Sequence, residues 1–560
     1  MDPTKMPDAS WPAEAVDSEA KTFSARVPAL RKAPRKQKFQ NLSVSDFGDA
    51  NTLKSLEKAS RKVERDLGAE YPLRLGGKSV TTGELLISRD PGNPSSVVGR
   101  VSRGHVAEVD RAIEAATEAQ RLWARVSFVE RTRVLFKAAQ MFRTRRFELD
   151  AWLVREAGKT WVEADADVAE AVDFLEYYGR EMLRLGVEQP LTEVSGEDNR
   201  LDYLPLGVVA VIAPWNFPVA ILTGMTAAAV VTGNSVVLKP SSDTPVVAAK
   251  VVEIFEKAGL PDGVLNFLPG SGSDIGDPLV NHPGVRAICF TGSMDVGLRI
   301  NELAAQTPRE QFWIKRVIAE LGGKNAIIVD ETADLDLAAE GVVAAAFGFQ
   351  GQKCSACSRL VAVEEIFDPL LERIVERSSR LRQGSTLDLG TDLGPVISES
   401  ALTKILDYIE LGRNEGELVL GGHRALPAGF ESGYFVQPTI FTNVNSGARI
   451  AQEEIFGPVL ACIRARDFDD ALHIANGTQF GLTGSLYSRS RIHLERARED
   501  FHVGSLYLNR RCTGALVGAH PFGGFNRSGT DAKAGGRDYL LLFLQGKVVS
   551  EQSGLAPDSE

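Results

Sequence analysis

The sequence predicts an α/β protein built of two lobes, and three features predict it. A long helical layer spans about residues 106–185; short apolar runs alternate with helices from residue 207; a second such alternation begins near Val317. In the first stretch Val109, Ile113, Ala116 and Ala119/Leu122 recur at helical spacing within Ala-, Glu- and Arg-rich sequence. The pattern then changes to apolar runs at 207–213, 235–238, 264–268 and 286–290, separated by Gly/Pro turns and read as strands. Between them lie helices at 219–231, 245–258 and 273–280, the second with Thr244 placed to cap and Pro245 in its first turn. Strand, helix, strand, helix in this order means parallel βαβ units. In the second region, 326–329, 360–363 and 459–464 read as strands among helices. The run 539–544 is apolar at every position. It suits either an edge strand covered by a partner subunit or an internal core strand.

Composition narrows the function classes. The 560 residues are enough for a sizeable core, and no apolar run approaches the roughly 18 residues of a membrane span. With 63 basic against 74 acidic side chains the net charge is -11, which repels nucleic-acid phosphates and anionic membranes. Residues 1–30 lack the apolar core of a signal peptide, and Asp2, Asp8, Glu14, Asp17 and Glu19 argue against a transit peptide, so a cytoplasmic location is the expectation. Arg31, Lys32, Arg35, Lys36 and Lys38 form a short basic cluster that reads as a solvated tail. The cysteines, Cys289, Cys354, Cys357, Cys462 and Cys512, are odd in number and scattered, which fits a reducing compartment rather than a disulfide framework. Cys354 and Cys357 form a C-x-x-C, but no second pair lies at finger spacing, so no metal is expected.

Several segments carry chemistry. Phe349-Gln350-Gly351-Gln352-Lys353-Cys354-Ser355 sets a cysteine after a glycine turn, beside a lysine and at an expected helix start, where positive charge and free amides favour the thiolate. Read alone, such a cysteine is more often a small buried residue. Glu320 stands before the double glycine Gly322-Gly323, at the junction of the lobes, and is placed to activate water. Asn216, in Pro214-Trp215-Asn216-Phe217-Pro218, follows the first strand of the βαβ series, at the end where open sheets bind ligands, and its amide is an oxyanion donor. Two glycine turns, Gly270-Ser271-Gly272 and Gly292 to Gly297, are candidates for dinucleotide contact. The second is followed by Leu298-Arg299 where a phosphate-binding loop for ATP needs Lys-Ser/Thr.

Taken together these segments, PWNFP, VVLKPSS, FTGS, ELGGKN, GQKC and EEIFGP, resemble the aldehyde dehydrogenase family in its own chain order over about residues 45–550. The resemblance implies an aldehyde dehydrogenase-like α/β fold. A Rossmann-type dinucleotide-binding domain would occupy 41–188 and 207–317, a catalytic domain 318–532, and an oligomerisation β-flap 189–206 and 533–552, after a disordered extension at 1–40. It implies a homodimer or higher homo-oligomer. By the same resemblance Cys354 is the nucleophile, Glu320 the general base, and Asn216, with the Cys354 amide, the oxyanion donor. Lys239 would meet the adenosine-ribose hydroxyls, Ser293 the pyrophosphate, and Glu454 and Phe456 the nicotinamide ribose. Trp215, Ser242, Gly270, Gly272, Thr291, Gly292 and Leu321 complete the implied NAD site. Thiolate attack would give a thiohemiacetal, hydride loss a thioester, and water activated by Glu320 the acid.

The C-terminal part narrows the substrate. Cys354-Ser355-Ala356-Cys357-Ser358-Arg359, Asn509 to Gly518, His520 to Gly524 and Ser528 to Gly536 resemble the branch of that family acting on 1-pyrroline-5-carboxylate through its open form, L-glutamate γ-semialdehyde. The resemblance implies that Ser355 and the Gly514 and Ala515 amides hold the α-carboxylate, with Phe217 and Phe522 on the aliphatic chain; glutamate would be the product, closing proline degradation. A Gly-Ala turn offers backbone donors to a carboxylate with no side chain in the way. Ser241-Ser242 stand where many relatives carry an acidic residue that repels a 2′-phosphate, so NADP is possible. Competing readings are a silent dinucleotide-binding protein, an enzyme for another aldehyde such as succinate semialdehyde, and a coenzyme A-dependent acyl transfer.

Overall fold

The computed structural model describes residues 38–553. Of the basic cluster, Arg31, Lys32, Arg35 and Lys36 lie outside the described residues, as does nearly all of the expected 1–40 extension. Among the described residues no helix is long and apolar enough to cross a membrane.

The helical layer consists of Val106–Trp123, Phe128–Thr144, Arg146–Ala157 and Trp161–Leu185. Its breaks follow from local chemistry: Ser127 accepts from the Glu130 amide, Gly158 takes the left-handed conformation at φ 64°, and Thr160 caps the last helix. The first sheet runs in the order Arg316–Glu320, Val285–Thr291, Val208–Ile212, Ser235–Lys239, Leu265–Phe267, Leu73–Leu75, Lys78–Val80. Its first five strands are parallel, and the last two, not foreseen, pair antiparallel. All five positions of Val208–Ile212 and of Ser235–Lys239 are buried, as strands covered on both faces require. Each valine so buried contributes about 1.5–3 kcal/mol.

Three expectations need correction. The second lobe does not begin near Val317: Arg316–Glu320 closes the first sheet, and the second sheet starts with Asn325–Val329. That sheet runs Glu417–Leu420, Thr439–Thr442, Val459–Ala465, Cys357–Val363, Asn325–Val329, Thr483–Tyr487, Ser505–Leu508. Thr244 makes no side-chain cap to Pro245–Ala258. The buried carboxylate of Glu156 takes that role, accepting from the amides of Val246 (2.9 Å) and Val247 (2.6 Å) and from the Ser88 hydroxyl (2.6 Å). Finally, 539–544 is no edge strand. Tyr539–Phe543 is a 3-10 turn sunk in the first lobe's own core, its ends held by Arg316 donating to the carbonyls of Leu541, Leu542 and Leu544. The chain then leaves as Leu544–Gln552, which pairs antiparallel with Glu197–Pro205 in a two-stranded ribbon.

Candidate active site

The carboxyl ends of the parallel strands converge on one cavity of about 890 Å³ between the sheets. Trp215 and Asn216 follow Val208–Ile212; Lys239 and Ser242 stand at the end of Ser235–Lys239; Thr291, Gly292 and Ser293 follow Val285–Thr291. Leu321, Glu454, Phe456 and Cys354 also line it, with Gly272 at its rim. Gly270 does not reach the cavity. Its carbonyl accepts from Ser242 (3.3 Å) and the Ile275 side chain packs on it, so it shapes the loop from behind. Two lining residues that sequence reasoning missed, Ala401 and Lys404, come from Glu399–Gly412, a helix with no motif; Lys404 donates to the Glu454 carbonyl at 3.1 Å.

The cavity suits a dinucleotide. Lys239 is 6% exposed, its amine donates to the Pro240 carbonyl at 3.4 Å, and burial pushes its pKa down to about 8. A buried amine so poorly partnered wants hydroxyl acceptors. Ser293 precedes Met294–Ala305 without capping it, leaving the amides of the helix's first turn to an anion. No atom lies within 4 Å of a Cβ built on Gly272, so the rim is open there. Trp215 and Phe456 meet edge to face at 5.4 Å, and Glu454 is steadied by the Gly323 amide at 2.9 Å. Burial raises the Glu454 carboxyl above its ordinary range.

Cys354 does not start a helix, contrary to the sequence expectation; it sits in a turn that runs into strand Cys357–Val363. The turn is reached through two buried residues in the left-handed region, Phe349 (φ 50°) and Gln350 (φ 55°), strain of the kind found where a backbone is aimed for function. Asn325 pins it, donating to the carbonyls of Cys354 (2.7 Å) and Ala356 (2.8 Å). Lys353 does not serve the thiol either: its amine is paired with Glu163 at 3.0 Å. Cys354 keeps an opening to the cavity, yet its protein surroundings push the thiol up to about 12, burial acting first and the charges of Glu454 and Glu320 after it. The resting nucleophile is therefore the thiol, not the thiolate.

Glu320 ends its strand with both carboxylate oxygens buried and without a hydrogen-bond partner. Burial raises its pKa to about 8; Lys533 pulls the other way, and the Ala532 and Gly524 amides face it without meeting bonding geometry. The Asn216 side chain is fixed by accepting from the Phe217 amide (3.1 Å) and donating to the Gln352 carbonyl (3.1 Å), which directs its NH₂ toward the cysteine turn.

The remaining candidates gather away from the cavity wall. The Ser355 carbonyl accepts from the Cys512 thiol at 3.4 Å, so Ser355 adjoins the turn carrying Gly514 and Ala515. Gly514 takes φ 76°, and among the described residues neither its amide nor that of Ala515 donates to a protein acceptor. Phe522 bridges to Ala534, and a Cβ on the next residue, Gly523, would lie 2.9 Å from a Glu320 oxygen. Phe217 lies under the amine of Lys159, 3.9 Å from its ring centroid. Lys159, fully buried and ion-paired with Asp167 at 3.1 Å, went unnoticed in the sequence. Its only signal is a lysine in the three-residue link between two helices of an apolar layer. Glu170 was missed likewise; burial and Asp167 raise it to about 8, and its charge is felt at the Cys354 thiol.

Residues 81–549 match the model of the aldehyde dehydrogenase family. The chain is 55% identical over 515 residues to 1-pyrroline-5-carboxylate dehydrogenase of Geobacillus kaustophilus (strain HTA426), covering 92% of this chain and 99% of the relative. A solved 1-pyrroline-5-carboxylate dehydrogenase from Thermus with bound NAD is similar at TM-score 0.90 and 53% identity, again covering 92% and 99%. More distantly, a betaine aldehyde dehydrogenase from Staphylococcus aureus in complex with NAD+ is similar at TM-score 0.83 and 28% identity, covering 90% and 99%.

Proposed function

The chain belongs to the aldehyde dehydrogenase family, and from that premise we propose that it oxidises L-glutamate γ-semialdehyde, the open form of 1-pyrroline-5-carboxylate, to L-glutamate with NAD as oxidant in proline degradation. The observation that carries the reading is a juxtaposition. Cys354 lines a dinucleotide-sized cavity, and the next residue, Ser355, abuts a turn with two unspent amides.

In this mechanism Cys354 adds through sulfur to the aldehyde carbon, its thiol proton passing to water in the cavity onto which it opens. The developing oxyanion is met by the Asn216 NH₂ and the Cys354 amide, donors fixed before the reaction begins. Bound NAD supplies the acceptor for the hydride that leaves the thiohemiacetal carbon. Glu320, whose raised pKa suits proton transfer near neutrality, then takes a proton from water that attacks the thioester, and the thiol returns with release of the acid. Ser355 and the Gly514 and Ala515 amides hold the α-carboxylate, and Phe217 and Phe522 flank the carbon chain. Asp243 lines the cavity beside Ser241 and Ser242, and its charge is felt at Lys239, a carboxylate that disfavours a 2′-phosphate and favours NAD over NADP.

We assign 41–188 and 207–320, through the strand that closes the first sheet, to dinucleotide binding, and the second sheet with its helices, from Asn325 to 532, to catalysis. The ribbon of Glu197–Pro205 and Leu544–Gln552 is assigned to assembly into a homodimer or larger homo-oligomer: two strands alone are marginal in water, and Val548 is 64% exposed on them. A reducing, cytoplasmic setting fits five free cysteines. The test is NADH formation from glutamate γ-semialdehyde against short aliphatic aldehydes, run beside Cys354→Ala. A strong preference for the semialdehyde, abolished in the variant, is expected; equal rates on simple aldehydes would sink the carboxylate anchor and leave the general mechanism standing.

A further inference from the structure

The turn that carries Gly514 and Ala515 is fastened at two ends by different means. At its start the Arg510 guanidinium donates to the carbonyls of Thr513 (3.0 Å) and Gly514 (3.0 Å). At its end the fastening is remote in sequence. Asn41 donates through one NH₂ group to the Val517 carbonyl (2.9 Å) and to Asp173 of Trp161–Leu185 (2.9 Å), while the Leu42 amide donates to the other Asp173 oxygen at 2.8 Å. Phe39 packs edge-on to Tyr177 at 5.2 Å, and these two rings lie against Gly518. The strap continues to Ser45, whose amide and hydroxyl both donate to Asp165 (2.6 and 3.1 Å), and Arg146 holds the Ser43 carbonyl at 2.8 Å. The strap is thus clamped to the helical layer along its length, and Asn41 is where it grips the turn. Other backbone ties there are the Gly518 amide donating to Gly535 (2.9 Å), whose own amide donates to the Tyr178 hydroxyl (2.8 Å), and Leu516, whose amide donates to His520 Nδ1 (3.1 Å) and whose carbonyl accepts from the amides of Ala519 (3.1 Å) and His520 (2.8 Å).

We propose that Asn41 is a positioning residue for substrate recognition: the strap at 39–45 sets the distance of the Gly514–Ala515 amides from Ser355 by holding Val517 against the helix that bears Asp173. The inference rests on the proposed carboxylate site. Asn41 touches neither substrate nor cofactor, and its effect is carried by the one residue, Leu516, between Val517 and Ala515. A carboxylate bound by amides is sensitive to such displacement, because each hydrogen bond weakens steeply as its angle departs from linear.

The test compares Asn41→Ala with Ser45→Ala, which loosens the same strap away from the turn, using glutamate γ-semialdehyde and propanal as alternative substrates. Asn41→Ala is expected to raise KM for the semialdehyde about five- to tenfold, the loss of one net hydrogen bond. kcat, KM for NAD and kcat/KM for propanal should stay unchanged, and Ser45→Ala should move none of them. Should the alanine variant not fold, Asn41→Ser, too short to bridge both acceptors, gives the same reading. A parallel fall of kcat/KM on both aldehydes would show a merely structural role, and an unchanged KM would show that the turn holds itself; either overturns the proposal. If the wild-type enzyme itself fails to discriminate the two aldehydes, the carboxylate site is wrong and the inference falls with it.

Discussion

The thiol at Cys354 offers the sharpest quantitative prediction, because its surroundings raise it from the ordinary 9 to about 12. At pH 8 an ordinary thiol of that value is about one-tenth ionised, whereas Cys354 is ionised to about one part in ten thousand, roughly a thousandfold deficit. A more basic thiolate is also the better nucleophile: with a Brønsted slope near 0.45, three units return about twentyfold. The net expectation for the cofactor-free enzyme is alkylation by iodoacetamide at pH 8 about 40- to 50-fold slower than an unhindered thiol of ordinary pKa. Slow reaction alone would also follow from poor access, so the pH dependence decides: log rate should climb with unit slope from pH 7 to 10 without levelling. Mass spectrometry of the Cys354 peptide gives the rate directly. Glu454→Gln, removing the foremost of the charges that oppose ionisation, should quicken alkylation at fixed pH. A rate that levels off below pH 9 would refute the reasoning, and would mean that the amide of Ser355, which stabilises the anion, outweighs burial.

Four further outcomes follow from the same geometry. Glu320→Gln should leave a first burst of NADH near one per site but cut the steady rate by about a hundredfold or more; in the wild type, deacylation should rise as pH climbs through about 8, where the carboxyl ionises, and stopped-flow absorbance separates the phases. Asn216→Ala should lower kcat by about a hundred- to a thousandfold with little change in cofactor binding, checked by steady-state kinetics and NAD titration. Gly322→Ala would drive a methyl into the Glu454 carboxylate and should raise KM for NAD more than KM for the aldehyde. Glu156→Ala should destabilise by about 2–5 kcal/mol in thermal or urea unfolding, since the Ser88 hydroxyl and two buried amides lose their acceptor. The folded Glu156 carboxyl is raised to about 7 against an ordinary 4.5, so its contribution to stability is present below about 4.5 and fades as pH rises through 7; Glu156→Gln should flatten that decline.

Much of the core architecture was legible because parallel strands covered on both faces write near-continuous apolar runs, and the start of the helix Pro245–Ala258 could be placed from the proline in its first turn. What escaped was non-local. The cap on that helix comes from Glu156, some ninety residues upstream, so Thr244 looked like the natural choice. The turn bearing Cys354 was read as a helix start because a glycine before a polar stretch fits one, whereas the left-handed Phe349 and Gln350 deflect the chain into a strand instead. The cofactor wall was visible in motifs; Ala401 and Lys404 were not, lying on a helix whose spacing speaks only of its apolar face. Lys159 and Glu170 were hidden in the same way, polar exceptions in a buried helical layer that reveal themselves once Phe217 and Cys354 are beside them.

The last part of the chain completes what the earlier parts begin. The strand of Glu320 is held by Leu321 donating to the Ser528 carbonyl and Thr530 donating to Ala319, and the first lobe's core is closed by Leu540 and Phe543, with Asn234 bonded to the Phe543 carbonyl. At about 5–20 residues per second of synthesis, the first sheet therefore waits roughly ten to forty-five seconds on the ribosome with an open apolar slot before residues near 540 emerge. For that interval the apolar face that Leu540 and Phe543 cover in the folded protein stays open, and a polypeptide that stopped before residue 528 would lack both that plug and the segment that supports the base.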